Sequence, residues 1–296
     1  MKKANNNKFS STSPSYSPPS LKERTLSPTG ERWRSQREAG GAGGGSVKAK
    51  KHLGQHFLRD LTIAQRIADT VDACPAIPVL EVGPGMGVMT QYLRQKPRPL
   101  KVVELDDESV DYLRRQWPDM EDCIIADDFL KMHLEHTFDG QPFVLTGNYP
   151  YNISSQIFFK MLDYKDLIPC CTGMIQKEVA ERLAAQPGTK AFGILSVLVQ
   201  LWYDVEYLFT VPPGVFSPPP KVQSAVVRMT RNQRTGLPCP YDLLRRLVKQ
   251  SFQQRRKMLR GSLRGIIPAD HPFGTLRPEQ LSVEQFIRLA CDVAAR

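Results

Sequence analysis

Two short turns carry the side chains with the clearest chemical potential. The first, Gly83-Pro84-Gly85-Met86-Gly87, follows the apolar run Pro78–Val82. A glycine-rich turn between a strand and a helix lets a ligand approach the backbone closely. Glu104 ends the next apolar run, 21 residues after Gly83, where a carboxylate accepts hydrogen bonds from both hydroxyls of a ribose. The spacing predicts a site for an adenosine-containing ligand without specifying which one.

An acidic residue after the third apolar run, Cys123–Ala126, is a further candidate contact for this ligand. Asp128 stands where a carboxylate accepts a hydrogen bond from an adenine amine, and Asp127 is a near-equal candidate by spacing. The alternative for the whole set is a phosphate-binding turn, or a tight strand-to-helix connection that binds nothing.

The second turn, Asn148-Tyr149-Pro150-Tyr151, follows the run Phe143–Gly147. It places a side-chain carbonyl, a backbone carbonyl and an aromatic face in the crevice where open α/β sheets bind ligands. An adenine N6 amine suits this set, because the carbonyls of Asn148 and Pro150 orient its hydrogens and stabilise developing positive charge without a general base. Tyr151 is predicted to stack on the base, which must leave any helix to be reached. The alternative is an ordinary turn whose tyrosine packs into the core.

A proline-rich segment, Val215–Val222, supplies two more candidates. Phe216 is predicted to cover the other face of the base, and Lys221 to touch a phosphate, although a lone lysine is more often only solvated.

Alternating elements must position these residues. Apolar runs typical of buried strands lie at Pro78–Val82, Leu100–Glu104, Cys123–Ala126, Phe143–Gly147 and Cys171–Gln176. Helical patterns lie at Leu61–Val71, Val88–Arg94, Glu108–Trp117, Ser154–Leu162 and Glu178–Ala185. This alternation predicts a doubly wound α/β domain over residues 47–231, closed at one edge by an antiparallel hairpin of Val205–Val211 and Val222–Met229.

The two flanks differ from this body in charge. Residues 1–51 carry 11 Lys/Arg against 3 Asp/Glu, residues 52–230 carry 16 against 22, and residues 231–296 carry 13 against 5. Residues 1–46, rich in Ser, Pro and Gly, are predicted to be a disordered basic tail. Residues 232–296 are predicted to be a small helical domain with helices at Tyr241–Phe252, Arg255–Leu263 and Val283–Ala294. Its basic residues, among them Arg255, Arg256 and Lys257, are predicted to bind RNA phosphates, the alternative being a solvated helix face.

Composition narrows the class of protein. The six cysteines show no metal-ligand spacing, so we expect reduced thiols, mostly buried, and no metal. We expect neither a secretory signal peptide nor a membrane span, since the longest apolar run, Ala191 to Trp202, is too short. A cytoplasmic monomer without a membrane partner is therefore expected, with the Ser- and Arg-rich tail also typical of an organelle transit peptide.

The motifs together closely resemble the KsgA/RsmA family of 16S rRNA adenine dimethyltransferases from about Lys50 to the C-terminus. The segments that carry this likeness are Gly54–Leu58, Glu81–Gly87, Glu104, Asp128, Asn148–Ser155, Gln176–Arg182 and Phe216–Val227. The chain departs from the family pattern at Tyr149, where Leu is usual, and at His56, where Asn is frequent. Since Tyr149 occupies the variable position of its turn, we expect that substitution to be tolerated.

The resemblance implies a Rossmann-like class I methyltransferase fold and an S-adenosylmethionine site. By resemblance, the residues lining that site are His56, Leu58, Gly83, Gly85, Glu104, Asp128 and Asn148. The resemblance also implies that the substrate is 16S rRNA in the small ribosomal subunit, where two adjacent adenosines in a hairpin loop near the 3′ end are dimethylated.

Three other functions share parts of this pattern. A large-subunit rRNA methyltransferase of the macrolide-resistance type would share the cofactor and amine contacts, and differs mainly in Phe216–Val227 and the C-terminal helices. A DNA adenine methyltransferase would share the Asn148 turn but needs a module that reads duplex base edges. A nucleic-acid-binding factor that no longer transfers methyl groups is the non-enzymatic alternative. The intact site residues disfavour it, namely Gly83, Glu104, Asn148 and Tyr151.

Overall fold

A seven-stranded sheet is the centre of the computed structural model, which describes Lys50 and residues 56–296. The predicted disordered tail and the Gly54-Gln55 part of the first family motif lie outside the described residues. The strands of this sheet are β2 (Val79–Val82), β3 (Leu100–Glu104), β4 (Ile124–Ala126), β5 (Val144–Thr146), β6 (Cys170–Gln176), β7 (Tyr203–Val211) and β9 (Ser224–Arg231). Their order is β4-β3-β2-β5-β6-β9-β7. The first five are parallel, and β9 is antiparallel to both its neighbours, which confirms the predicted hairpin at one edge.

Both faces of the sheet are buried, as the continuous apolar runs predicted. In β2, Leu80 packs in one apolar cluster and Val79 in another, and in β5 the same alternation holds for Leu145 and Val144. Successive side chains of a strand point to opposite faces, so strands buried on both faces are apolar throughout. Because β2 pairs with both β3 and β5, the chain order reverses beside β2. A crevice opens there at the carboxyl ends of the strands.

Helices connect the strands and cover the sheet. They are α1 (Leu61–Asp69), α2 (Thr90–Leu93), α3 (Asp107–Gln116), α4 (Ser154–Asp163), α5 (Lys177–Leu183) and α6 (Ile194–Gln200). Asp60 and Asp106 cap α1 and α3 by accepting a hydrogen bond from the backbone amide three residues later, as short acidic side chains do at helix starts. No helix was predicted at α6, which lies within the longest apolar run of the sequence and has four consecutive buried residues.

A small second sheet joins distant parts of the chain. It pairs β1 (Phe57–Leu58) with β8 (Phe216–Ser217), and the Arg59 amide extends the pairing by donating to the Val215 carbonyl at 2.8 Å. Two-residue strands have no sequence signature, so this sheet was not predicted. It attaches the segment before α1 to the proline-rich loop.

The C-terminal segment is helical as predicted, with α7 (Tyr241–Gln253), α8 (Leu259–Ser262) and α9 (Val283–Ala294). The prediction of a helix starting at Arg255 is wrong at its N-terminal half. The chain turns between Gln254 and Met258, and the amides of Leu259 and Arg260 instead donate to the carbonyls of Leu276 and Gly274 at 2.8 and 2.9 Å. These contacts lie between segments that no local pattern relates.

The described residues of 46–296 pack as one compact unit. One apolar cluster includes Leu145 of the sheet and Leu244, Leu247 and Phe286 of the C-terminal helices. The division at Arg231 into two domains therefore stays a prediction.

The prediction of six reduced cysteines is wrong for one pair. Cys74 and Cys170 are joined by a disulfide, with their Cα atoms 5.8 Å apart, while Cys123, Cys171, Cys239 and Cys291 are free. The bonded residues are 96 positions apart in sequence. The turn that follows α1 lies against β6, and this tertiary contact brings the two thiols together.

Candidate active site

A cavity of about 280 Å³ lies at the carboxyl ends of the parallel strands, beside β2. Most of the predicted site residues line it, namely His56, Leu58, Gly83, Gly85, Glu104, Asp127, Asp128, Asn148, Pro150 and Tyr151. The fold therefore brings together two groups of residues that the sequence assigned to a ligand and to a target amine.

The glycine turn forms one wall of the cavity with a backbone that other residues rarely adopt. Gly83, Gly85 and Gly87 have φ values of +67°, +55° and +74°. A Cβ on Gly85 would lie 3.1 Å from the Phe57 ring, so glycine keeps this wall close to β1. A Cβ on Gly87 would lie 2.2 Å from the Trp117 ring. Gly87 is therefore required for packing and not for ligand approach.

Glu104 is held by the backbone around it. One carboxylate oxygen accepts from the Gly85 amide at 3.0 Å, and the other accepts from the amides of Leu105 and Asp106, both at 2.9 Å. Burial raises the pKa of Glu104, and these backbone hydrogen bonds oppose the rise. A carboxylate has about four acceptor positions. At least one acceptor position is therefore left for a ribose hydroxyl, and hydrogen bonds to both ribose hydroxyls stay a prediction.

Asp127 and Asp128 both line the cavity, so the choice between them stays open. Asp128 accepts from the Leu130 amide at 3.0 Å and lies 3.3 Å from the Lys131 ammonium. Asp127 is exposed and accepts from the Asp128 amide at 2.6 Å.

The side chains of the Asn148 turn are hydrogen-bonded to two other segments of the chain. The Asn148 side-chain amide donates to the His56 carbonyl at 3.3 Å, and the Tyr151 hydroxyl hydrogen-bonds to Ser224. A carbonyl can only accept, so the NH₂ group of Asn148 must face His56. Its carbonyl oxygen, which has no hydrogen-bond partner in the described part of the chain, is then the atom left for a ligand.

Tyr149, at the variable position of the turn, is a core residue with 1% of its surface exposed. Its hydroxyl donates to the Thr172 carbonyl at 2.9 Å, and burial raises its pKa well above the usual range. Its ring lies against Gly173. The ring thus packs in the core of the protein, and the tolerance of Tyr149 at this position stays a prediction.

Phe216 is the one predicted residue of the target site that does not line the cavity. It is 3% exposed and packs in an apolar cluster with Leu58, its partner in the small sheet. In this arrangement its ring lies in the core, and strand pairing that the sequence did not indicate places it there.

The predicted RNA contacts fall into two groups. Lys221, Arg256 and Lys257 are exposed. Arg255 is half-buried, donates to the Lys190 carbonyl and lies 3.9 Å from the Glu279 carboxylate. Arg255 therefore holds the turn before α8 against the loop that precedes α6.

Glu81 is a site residue that the sequence analysis did not single out. It lines the cavity from the middle of β2, is 1% exposed and accepts from the Thr90 hydroxyl at 2.7 Å. Burial raises the pKa of Glu81 to about 8. The sequence feature that could have identified Glu81 is a carboxyl side chain within an otherwise apolar strand.

Because the pKa of Glu81 is raised in the folded protein, the folding stability is expected to depend on pH. The carboxyl of an unfolded glutamate has a pKa of about 4.3, so between this value and the folded one the native chain holds a proton that the unfolded chain releases. The contribution of this bound proton to folding stability is complete below the unfolded pKa and is lost as the pH rises to about 8. Glu81→Gln removes this proton linkage. In urea unfolding over this range, the wild type should lose stability relative to the variant as the pH rises.

Glu178→Gln, at an exposed position on α5, is the matched control and should show no such trend. A difference between wild type and Glu81→Gln that stays constant with pH would contradict the buried, protonated carboxyl.

Within the part of the chain that the structure describes, no group of three or more His, Cys, Asp and Glu side chains could hold a metal ion. The same described residues contain no helix that is long and apolar enough to cross a membrane.

Comparison with known proteins identifies a family over most of the chain. A family model described as "Ribosomal RNA adenine dimethylase" matches residues 46–274. Among curated relatives, "Ribosomal RNA small subunit methyltransferase A" of Phocaeicola vulgatus is 66% identical over 256 residues, which are 85% of this chain and 91% of that protein. The protein with the same name from Flavobacterium johnsoniae is 52% identical over 253 residues, 84% of this chain and 97% of that one.

Solved structures share the fold. A dimethyladenosine transferase from Plasmodium falciparum matches with a TM-score of 0.63 at 24% identity, over 79% of this chain and 96% of that chain. The 23S rRNA methyltransferase ErmE matches with a TM-score of 0.61 at 27% identity, over 81% and 100%. The predicted Rossmann-like class I methyltransferase sheet is confirmed.

Proposed function

The chain belongs to the ribosomal RNA adenine dimethylase family, and we propose from this that it dimethylates the N6 amines of two adjacent adenosines near the 3′ end of small-subunit rRNA. The Asn148 turn carries the proposal. Asn148, Pro150 and Tyr151 line the same cavity as the glycine turn and Glu104. The identity to small-subunit enzymes, 66% for the Phocaeicola vulgatus protein against 27% for ErmE, favours the small subunit over the large one.

The cavity fits S-adenosylmethionine as the methyl donor. Gly83 and Gly85 present backbone without a Cβ atom to the cavity, and Glu104 retains an acceptor position for a ribose hydroxyl. Asp127 or Asp128 would accept from the adenine amine, and Leu58 and Asn148 also line the cavity. When bound, S-adenosylmethionine supplies a methyl group on a cationic sulfonium, which is reactive toward a neutral amine.

The residues of the turn position the amine and the base. The Asn148 amide oxygen accepts one amine hydrogen, and the Pro150 carbonyl, which accepts from the Ile153 amide at 3.2 Å, has a second lone pair for the other. These two acceptors stabilise positive charge as it develops on nitrogen, so no side chain has to remove a proton beforehand. Tyr151 supplies the aromatic face on which a base outside the helix stacks.

Reversing the charges of Arg256 and Lys257 is expected to weaken RNA binding and to flatten its salt dependence. For each phosphate that the variant no longer neutralises, the slope of log K against log salt becomes shallower by about one. The measurement is filter binding of the double variant Arg256→Glu, Lys257→Glu to small-subunit RNA across a salt series. Arg115→Glu, exposed on α3, is the matched control. A slope equal to that of the wild type would place both residues away from RNA.

The proposed function is tested by methyl transfer. Labelled S-adenosylmethionine is offered with undermethylated small subunits, large subunits or duplex DNA, and the nucleosides are analysed. N6,N6-dimethyladenosine in small-subunit RNA alone is the expected result. Label in large-subunit RNA would assign the protein to the resistance type, label in DNA to a DNA methyltransferase, and no label to a binding factor.

A role in small-subunit assembly in the cytoplasm follows from this proposal, because the substrate is ribosomal RNA. The relatives named above are small-subunit methyltransferases. The monomeric state stays a prediction.

A further inference from the structure

We propose that the imidazole of His56 positions the target base, through Tyr151 and the proline-rich loop, and is not a ligand of the methyl donor. The proposal rests on the proposed function. It concerns a residue that the family resemblance assigned to the cofactor site and at which this chain departs from the frequent Asn.

Two contacts fix the plane of the His56 ring. The ring stacks on Tyr151 with a centroid separation of 5.4 Å and an angle of 29° between the planes. Its Nδ1 atom is 2.8 Å from the Pro218 carbonyl oxygen. A carbonyl only accepts, so Nδ1 must carry the proton, and this hydrogen bond selects the tautomer. A hydrogen bond in the ring plane and a stack on its face together leave the ring one orientation.

Two contacts hold the Tyr151 side chain. Its hydroxyl hydrogen-bonds to Ser224 at the start of β9, and His56 covers one face of its ring. An adenine that stacks on Tyr151 must then use the opposite face. The imidazole therefore sets both the tilt of Tyr151 and the side from which the base approaches.

The backbone carbonyl of His56 contacts Asn148, the residue proposed to orient the target amine. Its carbonyl accepts from the Asn148 amide at 3.3 Å and so orients the amide oxygen toward the ligand. One residue thus links the Asn148 turn with the loop at Pro218, 162 positions from His56. The side-chain contacts of His56 that the structure shows go to Tyr151 and Pro218. Among the described residues, its imidazole makes no hydrogen bond to the glycine turn or to Glu104.

Replacement at this position separates the two side-chain contacts. Asparagine can still donate to the Pro218 carbonyl but cannot stack on Tyr151, whereas phenylalanine can stack but cannot donate. His56→Ala removes both interactions. If the ring positions the base, His56→Ala lowers kcat on small subunits by roughly tenfold, as expected when an aromatic pair is removed, and both other variants recover part of it.

The cofactor measurement distinguishes positioning from ligation. Calorimetric titration of S-adenosylmethionine should give the same Kd within about twofold for wild type and all three variants. His136→Ala, an exposed histidine outside the cavity, should match the wild type throughout. A Kd weakened in parallel with the loss of turnover would assign the imidazole to the cofactor and overturn the proposal, as would unchanged kcat in His56→Ala.

A spectroscopic measurement tests the arrangement independently of activity. Nitrogen-15 NMR of the neutral His56 ring should show the proton on Nδ1, and Tyr151→Ala should shift the His56 ring signals. A proton on Nε2, or signals insensitive to Tyr151, would overturn the proposal even if wild-type turnover is normal. If the wild type methylates none of the RNA substrates, the proposed function fails while the NMR result still decides the role of His56.

Discussion

Replacing Asn148 by alanine is expected to lower the rate of methyl transfer by about 10²- to 10³-fold, the usual effect of removing one preorganised polar group that stabilises developing charge. The amide oxygen is aimed by the hydrogen bond from its NH₂ group to the His56 carbonyl, so alanine removes the acceptor and its orientation together. Single-turnover methylation of undermethylated small subunits at saturating RNA measures this loss.

Binding of S-adenosylmethionine to Asn148→Ala should remain measurable, because the glycine turn and Glu104 are intact. Gln223→Ala, an exposed amide side chain near Lys177, is the matched control and should turn over normally. Undiminished turnover in Asn148→Ala would exclude the proposed geometry of the target amine.

Replacing Gly173 by alanine is expected to cost about 3 kcal/mol or more of folding stability, through both overpacking and backbone strain. Gly173 has φ +146°, and an added Cβ would lie 2.3 Å from the Gly147 carbonyl oxygen and 2.7 Å from the Tyr149 ring. Neither neighbour can move easily, since one is backbone below the Asn148 turn and the other is a buried ring. Urea unfolding at constant pH measures the loss.

Two control variants separate the cost of overpacking from the cost of backbone strain. Gly188→Ala has φ +89° with open space around the added methyl group, so it reports backbone strain alone, and Gly236→Ala has neither strain nor a close neighbour. The loss for Gly173→Ala should exceed both. An equal loss for Gly173→Ala and Gly188→Ala would show that the contact with Tyr149 relaxes without cost.

Gly173 and Tyr149 show which part of the structure follows from the local sequence and which part follows from tertiary contacts. The sequence placed Tyr149 at the variable position of a turn after a strand, and the turn is confirmed, but no local pattern indicated that its ring packs in the core. The structure shows that the ring enters the core because Gly147 and Gly173 lack side chains there. Gly147 directly follows β5 and Gly173 lies in the middle of β6, so only the pairing of the Asn148 turn with β6 brings the two glycines to the same ring.

The sequence by itself determined the parallel strands, the glycine turn, Glu104 and the Asn148 turn. Each of these depends on residues within a few positions of one another, and parallel strands present their carboxyl ends at one edge, so adjacency followed from the alternation of elements. Only the tertiary structure decided the Cys74–Cys170 disulfide, the stack of His56 on Tyr151, the burial of Phe216 and the anchoring of Arg255. These contacts join segments 96, 95, 158 and 65 positions apart. Their geometry is set by packing across the whole chain, on which the spacing of neighbouring residues carries no information.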